Sequence, residues 1–417
     1  MSRGTTSRLL APFATRSFRF QWPADLATSC AFEMETLALG WFVLVETGSV
    51  LLLTLFASLQ YLGTLFAPLV GTIGDRLGHR RVLCAMRAVY VAVAVLIAAL
   101  AFAGALGPVE AFALAGLAGL VRASDFGVRN VLIGETIPPD RLLGALGLSR
   151  ITADGARAGG ALVGAGMVAA LSLAWAYVLV VALYAVALGL TTRIGAPAAG
   201  MPAPRKTQDA PAAPGGLRAA IAIVWAMPPQ RAVMSLAFLV NIATYPFILG
   251  LLPYVAREVY LTDQTGLGYM VAVAAGGCVA ASILLGRLEG RLMPARSMIA
   301  FCLVWQLLTI ALGLTGGLGA GLVVLALTGI AQGLCMVPMT VIQLRNAPPE
   351  LRGRIAGLRT LAVYGLPLGL WLSGPLIEYA GFAAAALTYG GIGFACTLVM
   401  LIVWRRHLWS ADAPANR

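Results

Sequence analysis

Twelve long apolar segments, a very low charge content and a one-sided distribution of arginine predict an all-α integral membrane protein. It is expected to be built as two pseudo-symmetric six-helix bundles. Of its 417 residues, 60% are apolar and 11% charged, and the mean hydropathy is +0.88. Soluble domains carry about 25% charged residues, so this composition excludes a soluble enzyme, a nucleic-acid binder and a largely disordered chain. A helix crosses the hydrocarbon core with about 20 apolar residues. Segments of that kind run over 20–45, 49–73, 82–104, 108–133, 142–169, 172–193, 231–252, 265–287, 296–316, 319–344, 353–379 and 383–404. Barrel strands would alternate apolar and polar residues, and runs such as Val91–Ala103 do not.

Charge sets the orientation. Lys and Arg number 29 against 17 Asp and Glu, a net +12. With the N-terminus inside, 22 of the basic residues fall in inward loops, tails and linker, and one, Arg257, falls outside. Basic loops resist translocation, so both termini are expected in the cytoplasm, and the basic excess reads as topology rather than nucleic-acid affinity. Four arginines (Arg3, Arg8, Arg16, Arg19) precede the first span without a short apolar core and cleavage site, so that span is expected to be retained. The six cysteines show no C-x-x-C spacing and read as small core hydrophobes. Both histidines, His79 and His407, lie beside arginines, so neither a metal site nor a cofactor is expected.

Domain boundaries follow composition. Residues 1–193 form the expected N-terminal bundle and 231–417 the C-terminal one. Between them, 194–230 is a linker carrying Pro197, Pro202, Pro204, Pro211 and Pro214. Its last part, Leu217–Met227, is expected to lie along the membrane surface. Pro138-Pro139-Asp140 with Gly147-Leu148 recurs 210 residues later as Pro348-Pro349-Glu350 with Gly357-Leu358, a trace of duplication. Related halves with a site near the midplane are a transporter architecture.

After the second span the chain reads Gly71-Thr72-Ile73-Gly74-Asp75-Arg76-Leu77-Gly78-His79-Arg80-Arg81. Gly71 and Gly74 allow close helix approach, Gly78 a tight turn, and Asp75 is one carboxylate among cations. This stretch resembles the signature loop of the major facilitator superfamily, G-x-L-A-D-R-x-G-R-R/K, with His79 where Arg is usual. The resemblance implies a gating loop of Gly71, Asp75, Arg76, Gly78 and Arg80, with Asp75 facing the positive N-terminal end of span eleven. Ala38-Leu39-Gly40-Trp41, Thr47-Gly48-Ser49, the pair Asp125 and Arg129, and Pro349-Glu350-Leu351-Arg352-Gly353-Arg354 resemble the enterobactin-exporter-like branch. Departures occur. Ser124 and Gly127 replace that branch's Phe and Pro, and Ala31-Phe32 stands where the family often has Gly-Asp. The antiporter signature G-P-x-x-G-G is Gly155-Ala156-Arg157-Ala158-Gly159-Gly160, without its proline.

Ionisable residues inside spans are costly unless paired or wetted, which makes each a functional candidate. Glu33, Glu35 and Asp154 are the proton-coupling candidates. Two residues apart on a helix is about 200° around the axis, so Glu33 and Glu35 cannot both point into one cavity. The alternative for either is a structural ion pair or a helix contact. Arg122, Asp125 and Arg129 share a stripe of span four, and Arg150, Asp154 and Arg157 a stripe of span five, each expected to face the interior. Arg122 and Arg157 are substrate-cavity candidates or partners of the glutamates. Asp125, Arg129, Arg150 and Arg352 are expected in a cytoplasmic charge network. The second half offers Asn241, Tyr245, Gln332 and Tyr364 as cavity candidates, with Pro246 and Pro253 able to bend span seven. Gly155-x-x-x-Gly159 and Gly160-x-x-x-Gly164 read as packing seams. A charged first half and an aromatic second half suit an amphipathic cargo.

The resemblance implies a monomeric, proton-coupled exporter of a siderophore-like or drug-like small molecule in the bilayer of a bacterial inner membrane. Uptake of a solute and lipid flipping remain alternatives on the same fold. A membrane enzyme or sensor is the remote one, since no catalytic motif is present. The expected partners are a small-molecule substrate, protons and lipid, with no nucleic acid.

Overall fold

The computed structural model describes residues 11–195, 225–288, 293–345 and 362–410. Among them there is no strand. The helices are α1 (Arg16–Thr47), α2 (Val50–Leu59), α3 (Ala67–Leu77), α4 (His79–Phe102), α5 (Pro108–Thr136), α6 (Pro139–Ala170) and α7 (Leu173–Thr191). They continue as α8 (Pro228–Ala243), α9 (Tyr245–Leu249), α10 (Gln264–Arg287), α11 (Pro294–Leu314), α12 (Leu318–Arg345) and α13 (Gly365–Ser410). Eight helices among the described residues are long and apolar enough by themselves to cross a membrane. The last contains two spans, because Gly381 (φ 83, ψ 165) breaks α13 in a conformation open essentially only to glycine.

Spans two and seven are interrupted, and the interruptions are local chemistry. The second is α2, a turn at Gln60–Tyr61, a 3-10 stretch Leu62–Phe66, and α3. The break ends where Pro68 enters the first turn of α3, a position at which proline's missing N–H is not needed. The seventh breaks at Thr244, ahead of Pro246, and continues through α9 and Leu252–Tyr254 into π-helical residues Val255–Val259. Both expected prolines, Pro246 and Pro253, lie in these short pieces.

The chain divides into two compact units, residues 1–48 with 59–209 and residues 49–58 with 210–417. The sequence division departs from this at one segment, since α2 belongs with the C-terminal residues. In unit 1, α1 packs on α6 and α7, and α4 on α5 and α7. In unit 2, α8 packs on α13, and α11 on α12 and α13.

Side chains repeat this pattern. Buried Gln21 on α1 donates to the Arg129 carbonyl on α5 at 3.1 Å, and buried Gln230 on α8 donates to the Gln343 carbonyl on α12 at 2.8 Å. A Cβ on Gly119 would strike the Leu59 carbonyl, and one on Gly329, 210 residues later, would strike the Ala274 carbonyl. The offset is that of the Pro-Pro repeat, so the duplication is built into backbone packing. The second copy of that repeat, the entrance to span eleven with Arg352, and residues 217–224 lie outside the described residues.

The glycine seam on α6 is half of what the spacing suggests. A Cβ on Gly160 would come 2.7 Å from the Cys30 carbonyl, and one on Gly164 2.9 Å from Met34 Cα, so these two let α6 lie against α1. Gly155 and Gly159 face open space instead. Cys278, Cys302 and Cys335 are buried and Cys30, Cys84 and Cys396 half-buried.

Candidate functional site: two buried charge clusters in unit 1

Three of the acids on helix α1, Asp25, Glu33 and Glu35, each meet an arginine from a different helix. Glu35 is 4% exposed. Its Oε2 accepts from Arg122 Nη2 of α5 at 2.8 Å and from the Tyr184 hydroxyl of α7 at 2.6 Å. Arg122 turns its other nitrogen, Nη1, to Gln60 Oε1 at 2.7 Å and Thr36 Oγ1 at 3.1 Å. Thr36 in turn donates to Gln60 Oε1 at 3.0 Å. One carboxylate faces one guanidinium, and a phenol, an amide oxygen and a hydroxyl complete the cluster.

A second cluster lies about 15 Å back along α1, ten residues at 1.5 Å each. There Asp25 pairs with Arg87 of α4 and stands 3.6 Å from Arg129 of α5, which pairs with Asp125 on its own helix. Arg129 Nη1 also donates to Ser29 Oγ at 3.0 Å, and Arg87 to Thr191 of α7. Two acids and two bases balance. Burying them is tolerable only because of that pairing.

Aromatic rings fill the space between the clusters. The Phe32 ring centroid lies 4.3 Å from the Arg122 guanidinium carbon and 5.8 Å from that of Arg129, a cation–π contact to each. Tyr90 and Tyr184 set their edges against Phe32 at 5.1 and 5.8 Å. The hydroxyls of Tyr90 and Tyr177 are buried without a hydrogen-bond partner among the described residues.

Glu33 points elsewhere. It reaches Arg157 of α6 at 3.4 Å, with both side chains more than a quarter exposed. The two glutamates therefore serve different helices, as their angular separation requires. The α6 stripe is corrected in part. Arg150 is exposed, so this stripe does not face the interior along its length; a 32-residue helix extends beyond the zone its neighbours cover. The Asp154 side chain lies outside the described ones.

At the signature loop Gly78 takes φ +89, which suits glycine at that turn. Asp75 and Arg76 are exposed. His79, buried, places Nδ1 2.7 Å from Glu135 and Nε2 3.8 Å from Asp75, while Arg80 donates to the Ile194 carbonyl at 2.6 Å. The Gly71 surroundings lie outside the described ones, as does the span-eleven end that Asp75 is expected to face.

In unit 2, Gln332 donates to the Tyr245 hydroxyl at 3.3 Å, and the Tyr245 ring meets Trp305 edge-on at 5.0 Å. Trp305 is fully buried and its indole N–H has no partner among the described residues. Asn241 bonds back to the Ala237 carbonyl at 2.8 Å and packs under Gly365. Tyr364 is half-buried. Residues not anticipated from sequence are Asp25, Arg87, Tyr184, Gln60 and Trp305. Asp25 and Arg87 carried a usable signal, an ionisable side chain within an apolar run; the others are uncharged and carried none.

The family model of the Major Facilitator Superfamily matches residues 26–367 and again 235–415. The Multidrug efflux pump Tap of Mycobacterium tuberculosis (strain ATCC 25618 / H37Rv) is 28% identical over 398 residues, 91% of each chain. Among solved structures, the POT family transporter PepTSo superposes with a TM-score of 0.76 at 14% identity, over 95% of this chain and 99% of that one. The nucleoside transporter NupG does so with a TM-score of 0.70 at 13% identity, over 94% and 99%.

Proposed function

The chain belongs to the major facilitator superfamily, and from that membership we propose that it is a proton-coupled exporter of amphipathic, drug-like compounds. It works by alternating access in a bacterial inner membrane, with both termini in the cytoplasm. Membership makes it a small-molecule transporter of the bilayer. Export of drug-like cargo is supported by the efflux pump that shares 28% of its residues. The orientation is supported by the confinement of nearly all loop arginines to one side.

The observation that carries proton coupling is the balance at Glu35. Its carboxylate is the acid that faces Arg122, and the rest of its hydrogen bonding is a phenol. Protonating Glu35 leaves a buried guanidinium without a counter-charge, a state costly enough to force rearrangement. A proton and a conformational change are thereby linked at one site. Tyr90 and Tyr177, whose hydroxyls have no partner among the described residues, stand beside it as positions where water can connect the site.

Charge pairing also bears on the cargo. Arg122 and Arg157 both meet carboxylates, so neither offers a spare cation to an anionic, siderophore-like molecule. A neutral or cationic amphiphile suits these paired charges better. Ethidium is a suitable probe. In everted vesicles, wild-type protein is expected to move ethidium inward under an imposed proton gradient and to stop when the gradient is collapsed. Glu35→Gln is expected to insert normally and lose gradient-driven flux. Unchanged flux in Glu35→Gln, or wild-type flux indifferent to the gradient, would contradict the reading.

A further inference from the structure

We infer that Gln60 is a positioning residue through which the Glu35–Arg122 pair sets the conformation of the break in the second span. The inference rests on the proton-coupling reading above and extends it from the site to a moving element.

Gln60 occupies the turn between α2 and the 3-10 stretch. Its amide oxygen is the acceptor for two donors, Arg122 Nη1 at 2.7 Å and Thr36 Oγ1 at 3.0 Å. Helix α5 grips the break a second time, one turn from Arg122, where Gly119 and Gly63 each leave no room for a Cβ against the other's backbone neighbourhood. A break held by a glycine contact on one side and a charged hydrogen bond on the other is fixed only while both hold. The glycine contact depends on no charge. The hydrogen bond is conditional, because Arg122 is aimed by Glu35: one guanidinium nitrogen meets the carboxylate and the other meets Gln60.

The two sides of the break have different companions. From Leu59 onward the chain belongs to unit 1, while residues 49–58 belong to unit 2. Within unit 2, Ser58 Oγ lies 3.4 Å from the Pro367 carbonyl. A Cβ on Gly374 would come 3.2 Å from Leu51 Cα, and one on Gly250 would come 3.2 Å from the Ala57 side chain.

The sequence of events is short. Protonation removes the carboxylate charge that holds Arg122 Nη2. The guanidinium then has only neutral acceptors and turns toward solvent. Nη1 leaves Gln60, whose oxygen keeps only the Thr36 bond, and the break loosens. The groups around Glu35 that could share this role are Arg122 on α5, Tyr184 and Tyr177 on α7, Tyr90 on α4, and the Glu33–Arg157 pair toward α6. Tyrosines do not titrate near neutral pH, and Glu33 and Arg157 already satisfy each other.

Amide hydrogen exchange of full-length protein in lipid nanodiscs, followed across residues 59–66, tests this. Wild type is expected to exchange faster there as pH falls, after correction for intrinsic chemistry. Glu35→Gln at high pH is expected to show the fast behaviour, with about a tenfold rise, the scale of one lost charge-assisted hydrogen bond. Gln60→Met, which keeps the shape and removes the acceptor, is expected to be fast at every pH, with Glu35→Gln adding nothing further. Gln60→Glu in the Glu35→Gln background restores an anion for Arg122 and is expected to return slow exchange. A merely structural Gln60 would neither flatten the pH profile nor permit that charge rescue.

Exchange at 59–66 that ignores Glu35→Gln, or a Glu35→Gln effect that adds in full to Gln60→Met, would overturn the inference. Ethidium flux separates the two levels. If Glu35→Gln stops gradient-driven flux while exchange at 59–66 stays as in wild type, the Gln60 role falls and proton coupling stands. If flux is untouched, the coupling reading itself falls.

Discussion

Asp25 and Arg87 are nearly inaccessible, 5% and 0% exposed, and each is the other's closest countercharge. Removing one partner of such a pair strands the other, at a cost of about 3–5 kcal/mol. Arg157 and Glu33 are partly wetted, and separating them costs about 0–1 kcal/mol. Thermal unfolding of the purified protein in detergent is therefore expected to rank Arg87→Gln far below Arg157→Gln, with the latter close to wild type. Equal destabilisation would mean that the partly exposed pair is as dry as the buried one. Glu35 and Arg122 stood out in the sequence because a charge in an apolar run needs a reason. Asp25 and Arg87 carry the same signal but lie near span ends, where charges are ordinary. Tyr184 and Gln60 were invisible for a different cause: uncharged polar residues in spans are common, and only distances distinguish a ligand of Glu35 from a residue bonding its own helix, as Asn241 does.

Helices reveal more in sequence than their contacts do. Apolar runs located the spans, and Pro246 marked where the seventh breaks. Pro68 stands at the second span's break too, but a proline alone does not mark one, since α1 and α12 run through Pro23 and Pro338. Glycine spacing was less reliable, since period alone cannot say which face a neighbour covers. Gly160 and Gly164 press on α1 while Gly155 and Gly159 on the same helix do not. Gly155→Ala is accordingly expected to leave stability unchanged or raise it by up to about 1 kcal/mol through helix propensity. Gly329→Val, which drives a side chain into the Ala274 carbonyl, is expected to abolish the monodisperse folded peak on size-exclusion chromatography. A well-behaved Gly329→Val protein would show that the α10–α12 approach can widen at no cost.

Two units of related construction account for the composition as a whole. Each repeats a glutamine-to-carbonyl clasp and a glycine crossing, yet the buried ion-pair clusters described belong to unit 1 and the Tyr245–Trp305–Gln332 group to unit 2. After duplication the packing was kept and the chemistry diverged. The buried ion pairs described thus sit on one scaffold, whereas aromatic rings line both. On the proposed function, Glu35 holds the coupling proton. Infrared difference spectroscopy of the membrane-reconstituted protein, recorded between high and low pH, observes that proton on its carboxyl group. The expected result is a protonated-carboxyl band that appears at low pH, persists in Glu33→Gln and vanishes in Glu35→Gln. A band unchanged in Glu35→Gln would place the proton on another acid and contradict the account.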